Sequence, residues 1–247
     1  MIKKKLLEDS GLLPLWIQNP QEENLQDDEV SFQDNLGAGQ ETMMMMMAST
    51  NQHDDTGTPQ WESLKQQVSN CQLCRLCEQR TKTVFGVGDE GADILFVGEG
   101  PGAEEDKKGE PFVGQAGRLL DAIFASLGMS RSKGIYIANA VKCRPPENRK
   151  PFEDEMLACF PYLQQQIKWL SPKIIIALGA TGAQTMLKTD TKIGALRGKV
   201  HHYDDIPLIA TYHPAYLLRS PMEKAKVWTD MVFALRVLKE QGRKTPD

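Results

Sequence analysis

Five cysteines occur in the 247-residue chain, and three of them share the stretch CQLCRLC as Cys71, Cys74 and Cys77. Cys143 and Cys159 are the others. In a reducing cytosol such clustered thiols point to a metal or to thiol chemistry ahead of disulfides. A zinc ribbon repeats C-x2-C twice, whereas the second pair here is C-x15-C. The bacterial ferredoxin run C-x2-C-x2-C-x3-C-P lacks its last cysteine and its proline. Four cysteines of irregular spacing, drawn from two distant segments, fit a structural [4Fe–4S] cluster better than zinc. Spacing goes no further than that.

A second group of residues suits a small planar ligand. GEGPGA matches the dinucleotide fingerprint through Gly98, Gly100 and Ala103. A polar loop, EEDKKGEPFVG, is expected where that motif opens a helix, and no acidic residue ends the next strand to hold a ribose. What the glycines offer is close approach of a ligand to backbone N–H groups. The loop brings Glu99, Glu105 and Asp106, then Phe112, whose setting between Pro111 and Gly114 favours an exposed face. Asn139 is polar within an apolar strand, and its paired donor and acceptor suit the edge of a nucleobase. His213 stands just past another strand, before Pro214. Flat ring, amide, imidazole and backbone amides together describe a pocket for one base.

Four apolar, β-branched runs carry these residues, at 93–98, 134–141, 173–179 and 207–212. Helical periodicity covers 117–127, 152–170, 181–187 and 223–240. Buried strands alternating with helices predict an α/β, three-layer sandwich with a central, mainly parallel four-stranded sheet. GEGPG, Asn139, LGATG and HPAYLLR then fall at the carboxyl ends of the strands, where open α/β sheets bind ligands. The expectation is one crevice lined by all four.

With 40% hydrophobic and 25% charged residues, the chain has the make-up of a water-soluble protein. No apolar run reaches the roughly 18 residues of a membrane span. The start, MIKKKLLEDSGLLPLWIQNP, is charged like a signal peptide, but Glu8, Asp9 and Pro14 interrupt any apolar core. We place the protein in the cytosol (bacterial cytosol or nucleoid), away from membranes. Residues 1–58 carry three Lys against eleven acidic residues, so the whole-chain charge of −4 leaves a body of +4. That balance is compatible with phosphate contact and equally with an ordinary solvated surface. Residues 18–58 are polar, acidic and low in complexity, the composition of a disordered linker. We therefore divide the chain into a disordered acidic extension, 1–58, with a candidate partner-binding peptide at 5–17, and a folded domain, 59–247.

CQLCRLCEQRT, GEGPGAEEDKKGEPFVGQAGRLLD, NAVKCRPPENRKP and HPAYLLR, taken in order, resemble the family 4 (iron–sulfur) uracil-DNA glycosylases across about residues 70–238. The resemblance implies a uracil-DNA glycosylase-like fold. It also implies hydrolysis of the N-glycosidic bond of uracil in single- or double-stranded DNA, which releases the base and starts base excision repair. By the same match a [4Fe–4S] cluster rests on Cys71, Cys74, Cys143 and Cys159, leaving Cys77 spare. Phe112 stacks on uracil, Asn139 reads its Watson–Crick edge and His213 faces its O2. Glu99 and Gly100 line the base of the pocket, while Glu105 and Asn148 fall at positions tied to activity. A related branch that bonds covalently to uracil carries a basic, His-containing loop where this chain has CRPPENR, so turnover is expected and not capture.

Such a reaction requires the base to be flipped out of the duplex. Lys107, Lys108, Arg144, Arg149 and Arg219 are candidates for a basic rim that holds phosphates. Donors aimed at the departing uracil anion, His213 and the amides near Gly100, act where charge develops. The activation of water stays open between Glu99, Glu105 and a largely dissociative route. Competing readings are a non-catalytic DNA-binding replication or repair adaptor on the same fold, and a glycosylase for another deaminated base. The protein is expected to be a monomer, with the N-terminal peptide docking it on a replisome protein.

Overall fold

A computed structural model describes residues 60–241, so the acidic extension and its docking peptide lie outside the described residues. The sheet is built from β1 (Val87–Gly88), β2 (Ile94–Gly98), β3 (Ile135–Asn139), β4 (Ile174–Leu178), β5 (His201–Tyr203) and β6 (Ile206–Thr211). Their spatial order is β1-β3-β2-β4-β6-β5. The four inner strands are parallel to one another and correspond to the four apolar runs. Beyond them the sheet gains two antiparallel edge strands, β1 and β5, that the sequence did not signal. With two and three residues each, they are too short for a hydrophobic period to register, and they cover edges that would otherwise present unpaired backbone.

Because side chains alternate across a strand, the inner strands feed two separate cores. On one face Phe96, Ile137, Ile176 and Ile209 pack against α3 (Gln115–Ser126), α7 (Pro214–Arg219) and α8 (Lys224–Gln241). On the other, Val97, Tyr136, Ile175 and Leu208 meet α4 (Glu153–Leu170), α5 (Gly179–Leu187) and α6 (Ile193–Leu196). Each fully buried Leu, Ile, Val or Phe contributes about 1.5–3 kcal/mol relative to exposure. This is the expected three-layer sandwich. Helix α1 (Gln60–Ser69) is added outside α4: Leu64 and Val68 pack with Phe85, Tyr162 and Trp169. Trp61 meets Tyr136 edge-on at 5.3 Å. That anchor delivers the chain to Cys71.

One expectation is overturned at the end of β2. A helix does open at Ala103, as α2 (Ala103–Lys108). Glu104, Glu105 and Asp106 occupy its first turn and Lys107 and Lys108 its last, the polarity that the helix dipole favours. Gly109, at φ 84, ends it. The dinucleotide reading is not restored, because three carboxylates sit where a pyrophosphate would bind.

Candidate active site

Parallel pairing brings the carboxyl ends of β2, β3, β4 and β6 to one side of the molecule. A cleft of about 420 Å³ opens there. It brings together Glu99, Gly100, Glu105, Phe112, Asn139, Asn148, Arg149, His213 and Arg219, all singled out in the sequence. The LGATG segment is not among the lining residues. Gly179 instead sits behind the cleft at φ +90, where a Cβ would come within 2.9 Å of the His213 Cβ. Its place is to let α5 start tight against the histidine.

Asn139 ends β3 and is 2% exposed. Its Oδ1 is buried and has no hydrogen-bond partner among the described residues. A buried acceptor left unmade costs about 1–3 kcal/mol, so an orphan facing a cleft marks a place where a ligand donor fits. Gly98 makes room for it, since a Cβ there would lie 2.4 Å from Oδ1 and 2.8 Å from the Phe112 ring.

Phe112 departs from the exposed face expected of it. Only 6% of the residue is exposed, and it belongs to the core while one side lines the cleft. Its backbone is left-handed, φ 54, a conformation that costs a non-glycine residue about 1–3 kcal/mol unless the surroundings impose it. Here they do. The Glu105 Oε1 accepts from the Val113 and Gly114 N–H groups, both at 2.9 Å. Arg131 donates to the Pro111 carbonyl at 2.9 Å and to the Phe112 carbonyl, and is itself held by Asp121. Gly117 closes the seat, since a Cβ there would fall 1.7 Å from the Phe112 oxygen. Glu105 therefore grips the loop that carries the ring. Arg131 and Asp121 were not signalled by the sequence, because SRSKG reads as an ordinary basic turn.

His213 caps α7: its Nδ1 accepts the Ala215 N–H at 3.1 Å. That bond leaves Nε2 as the protonated nitrogen of a neutral ring. Burial, and then the nearby Arg219 charge, push its pKa down to about 4, so the ring is a neutral donor at neutral pH. Phe112 lies beside it, ring centres 5.4 Å apart.

The rim is mixed. Arg219 is exposed at the mouth of the cleft, with Tyr216 beside it. Arg144 donates to the Asn148 Oδ1 at 2.7 Å, within a turn whose Glu147 and Asn148 are both left-handed. The Arg149 guanidinium is committed to Glu155, at 2.7 and 2.8 Å, and stacks on Phe152 at 3.8 Å. Lys107 is exposed and pairs with Glu104. Lys108 is exposed on the same short helix but, like Lys107 and Arg144, does not line the cleft.

All five cysteines are free thiols, and all five line one apolar cavity. The Cys143 Sγ accepts from Arg80 and the Cys159 Sγ from the Lys142 backbone N–H, both at 3.1 Å. Donors aimed at sulfur suit thiolates. Burial, however, pushes the Cys159 thiol up to about 12, and as a metal ligand it would have to release that proton on binding. A cluster offers each thiolate its own iron. The cavity fits that donor set.

The model of the uracil DNA glycosylase superfamily matches residues 85–233. The chain is 40% identical over 177 residues to a type-4 uracil-DNA glycosylase of Archaeoglobus fulgidus, covering 68% of this chain and 88% of that protein. A type-4 uracil-DNA glycosylase of Thermotoga maritima is 40% identical over 186 residues, 73% of this chain and 96% of the relative. A type-5 uracil-DNA glycosylase of Thermus thermophilus is more distant, 30% identical over 157 residues, covering 51% of this chain and 71% of its own length.

Proposed function

This chain belongs to the uracil DNA glycosylase superfamily, and on that premise we propose that it hydrolyses the N-glycosidic bond of uracil in DNA. The products are free uracil and an abasic site, the entry to base excision repair. The observation that carries the reading is the buried, unpartnered Asn139 Oδ1 facing a cleft with Phe112 and His213 beside it. Uracil supplies what is missing there: N3–H for Oδ1, and O4 for the amide N–H.

The flipped base stacks on Phe112, held by Glu105 and Arg131. Charge builds on the uracil as the bond to the sugar breaks. The His213 Nε2–H and the backbone amides around Gly100 meet that charge as it forms, the condition for a catalytic effect. Glu99 lines the cleft and makes no side-chain hydrogen bond among the described residues, whereas Glu105 spends an oxygen on two amides. Glu99 is therefore the better placed of the two to orient water, and Glu105 is a positioning residue. Asn148 and Arg144 order the opposite wall. Arg219, Arg144, Lys107 and Lys108 hold phosphates on the rim, and Arg149 joins them only by leaving Glu155.

Cys71, Cys74, Cys143 and Cys159 hold a [4Fe–4S] cluster, with Cys77 spare. When bound, the cluster would brace the Cys71 segment against the connection from β3 to α4. Donors from Arg80 to Cys143 and from the Lys142 backbone to Cys159 support the second half of that set. The enzyme works as a monomer in the bacterial cytosol, and residues 5–17 dock it on a replisome protein. Deleting residues 1–58 should leave excision from a short oligonucleotide unchanged and abolish co-purification with replisome proteins. Partners retained by the truncated form would defeat the docking idea.

The decisive assay is purified protein with single-stranded uracil DNA followed by alkaline cleavage. Uncut product at enzyme excess would leave the adaptor reading standing. The pH profile follows from His213. Its neutral form works, and its pKa lies near 4, so kcat/KM should show no inflection near the unperturbed value of about 6.5. Activity falls only as the pH approaches 4, where a second ring proton would face the Ala215 N–H and break the cap. An acid limb centred near 6.5 and absent from His213→Ala would contradict this assignment.

A further inference from the structure

Lys142 is 1% exposed, yet no carboxylate pairs with it among the described residues. Lysine is almost never fully buried without a partner, and the partners this one has are polar and uncharged. The side chain spans from one functional site to the other. Its Nζ donates to the backbone carbonyl of Asn139 at 2.9 Å and to the Gln166 Oε1 at 2.6 Å. Gln166, on α4, is itself fully buried and tied through Nε2 to the Phe85 carbonyl at 3.0 Å. The other end of Lys142 touches the thiols. Its backbone N–H donates to the Cys159 Sγ, and the residue lines the cysteine cavity. One buried residue thus bonds the peptide that carries the base-reading amide, the helix that carries Cys159, and a sulfur.

We propose that Lys142 is a positioning residue that couples the cysteine cavity to the base pocket, fixing the Asn139 peptide against α4 and supplying the buried cation that an anionic cluster on four thiolates needs. The inference rests on the reading of the chain as a uracil-DNA glycosylase with a cluster. It adds a residue that neither touches uracil nor ligates iron. Four thiolates outweigh the charge of a [4Fe–4S] core, so the bound site is an anion, and a cation in the same dry pocket has the matching sign. With the cluster in place, Lys142 is held from both ends, and so is the strand end that aims Asn139.

The test compares Lys142→Met, which keeps the volume and removes charge and donors, with Lys142→Gln, which keeps a polar end without charge. Iron content, the reduction potential of the cluster, the affinity for free uracil, and KM and kcat are measured on each beside wild type. Loss of a nearby cation makes an anionic cluster harder to reduce, so the potential should move to more negative values in both variants. Lys142→Met should also weaken free-uracil binding and raise KM by roughly 10-fold or more, the usual scale for a residue supporting a metal site. Loss of iron with a folded far-UV spectrum would equally support the charge role. Unchanged potential and uracil affinity in both variants would overturn the coupling, as would failure of both to fold, which assigns Lys142 to stability alone. Wild-type protein that excises no uracil would instead overturn the underlying function.

Discussion

Asn139→Asp should lower single-turnover excision of uracil by about 10² to 10³, or about 2.7–4 kcal/mol, while the protein stays folded. The factor is that of one missing donor aimed at developing charge, and the substitution adds a sign to it. An ionised carboxylate repels the uracil anion, and a carboxylate oxygen in place of Nδ2 faces O4 with two acceptors. Survival of the fold follows from the orphan state of the amide. Among the described residues Oδ1 has no hydrogen-bond partner, so the substitution breaks no internal hydrogen bond at that atom. Asn139→Ala, which buries no charge, controls for the cost of desolvating the carboxylate. His213→Ala should lose a similar factor through its Nε2–H, and it also removes the cap on the Ala215 amide, worth about 1 kcal/mol. Single-turnover rates near wild type in all three would remove these residues from the pocket.

Much of this site was legible because its parts announce themselves locally. The inner strands are unbroken β-branched runs such as KIIIALG, and their order alone puts Asn139 and His213 on the same side. What the sequence hid is held by contacts between distant positions. Arg131 clamps the Phe112 carbonyl from 19 residues away, and nothing in SRSKG marks it. Lys142 beside Cys143 reads as one more surface lysine until its side chain is traced inward. The polar run after GEGPG looked like a loop because its helix is only six residues long and carries no apolar stripe. Phe112 looked exposed because its neighbours are Pro and Gly, yet those neighbours are what allow the chain to turn the ring inward. Local pattern predicts elements; it does not predict what reaches across them.

Cys74→Ser should lose essentially all the iron that anaerobically purified wild type holds, about four per chain for a cubane on four cysteines, whereas Cys77→Ser should stay brown with its iron intact. The fold does not make that choice through exposure, since Cys71, Cys74 and Cys77 are all half-buried and all line the cavity. The choice comes from matching CQLCRLCEQRT to the family pattern, in which the C-x2-C ahead of a basic-polar run supplies the first two ligands, here Cys71 and Cys74. Chemistry then sets the size of the effect. Serine is a poor substitute for a thiolate toward iron, and removing one corner of a four-ligand set leaves an iron open to solvent. Arg80 also ties the cavity walls together, reaching both the Cys143 sulfur and the carbonyls of Ser69 and Cys71. Cys74→Ser should therefore also melt well below wild type, as metal binding and folding share one free energy, whereas Cys77→Ser should melt where wild type does. Stoichiometric zinc in wild type, or iron lost from Cys77→Ser and retained in Cys74→Ser, would replace the metal or the set of four ligands assigned here.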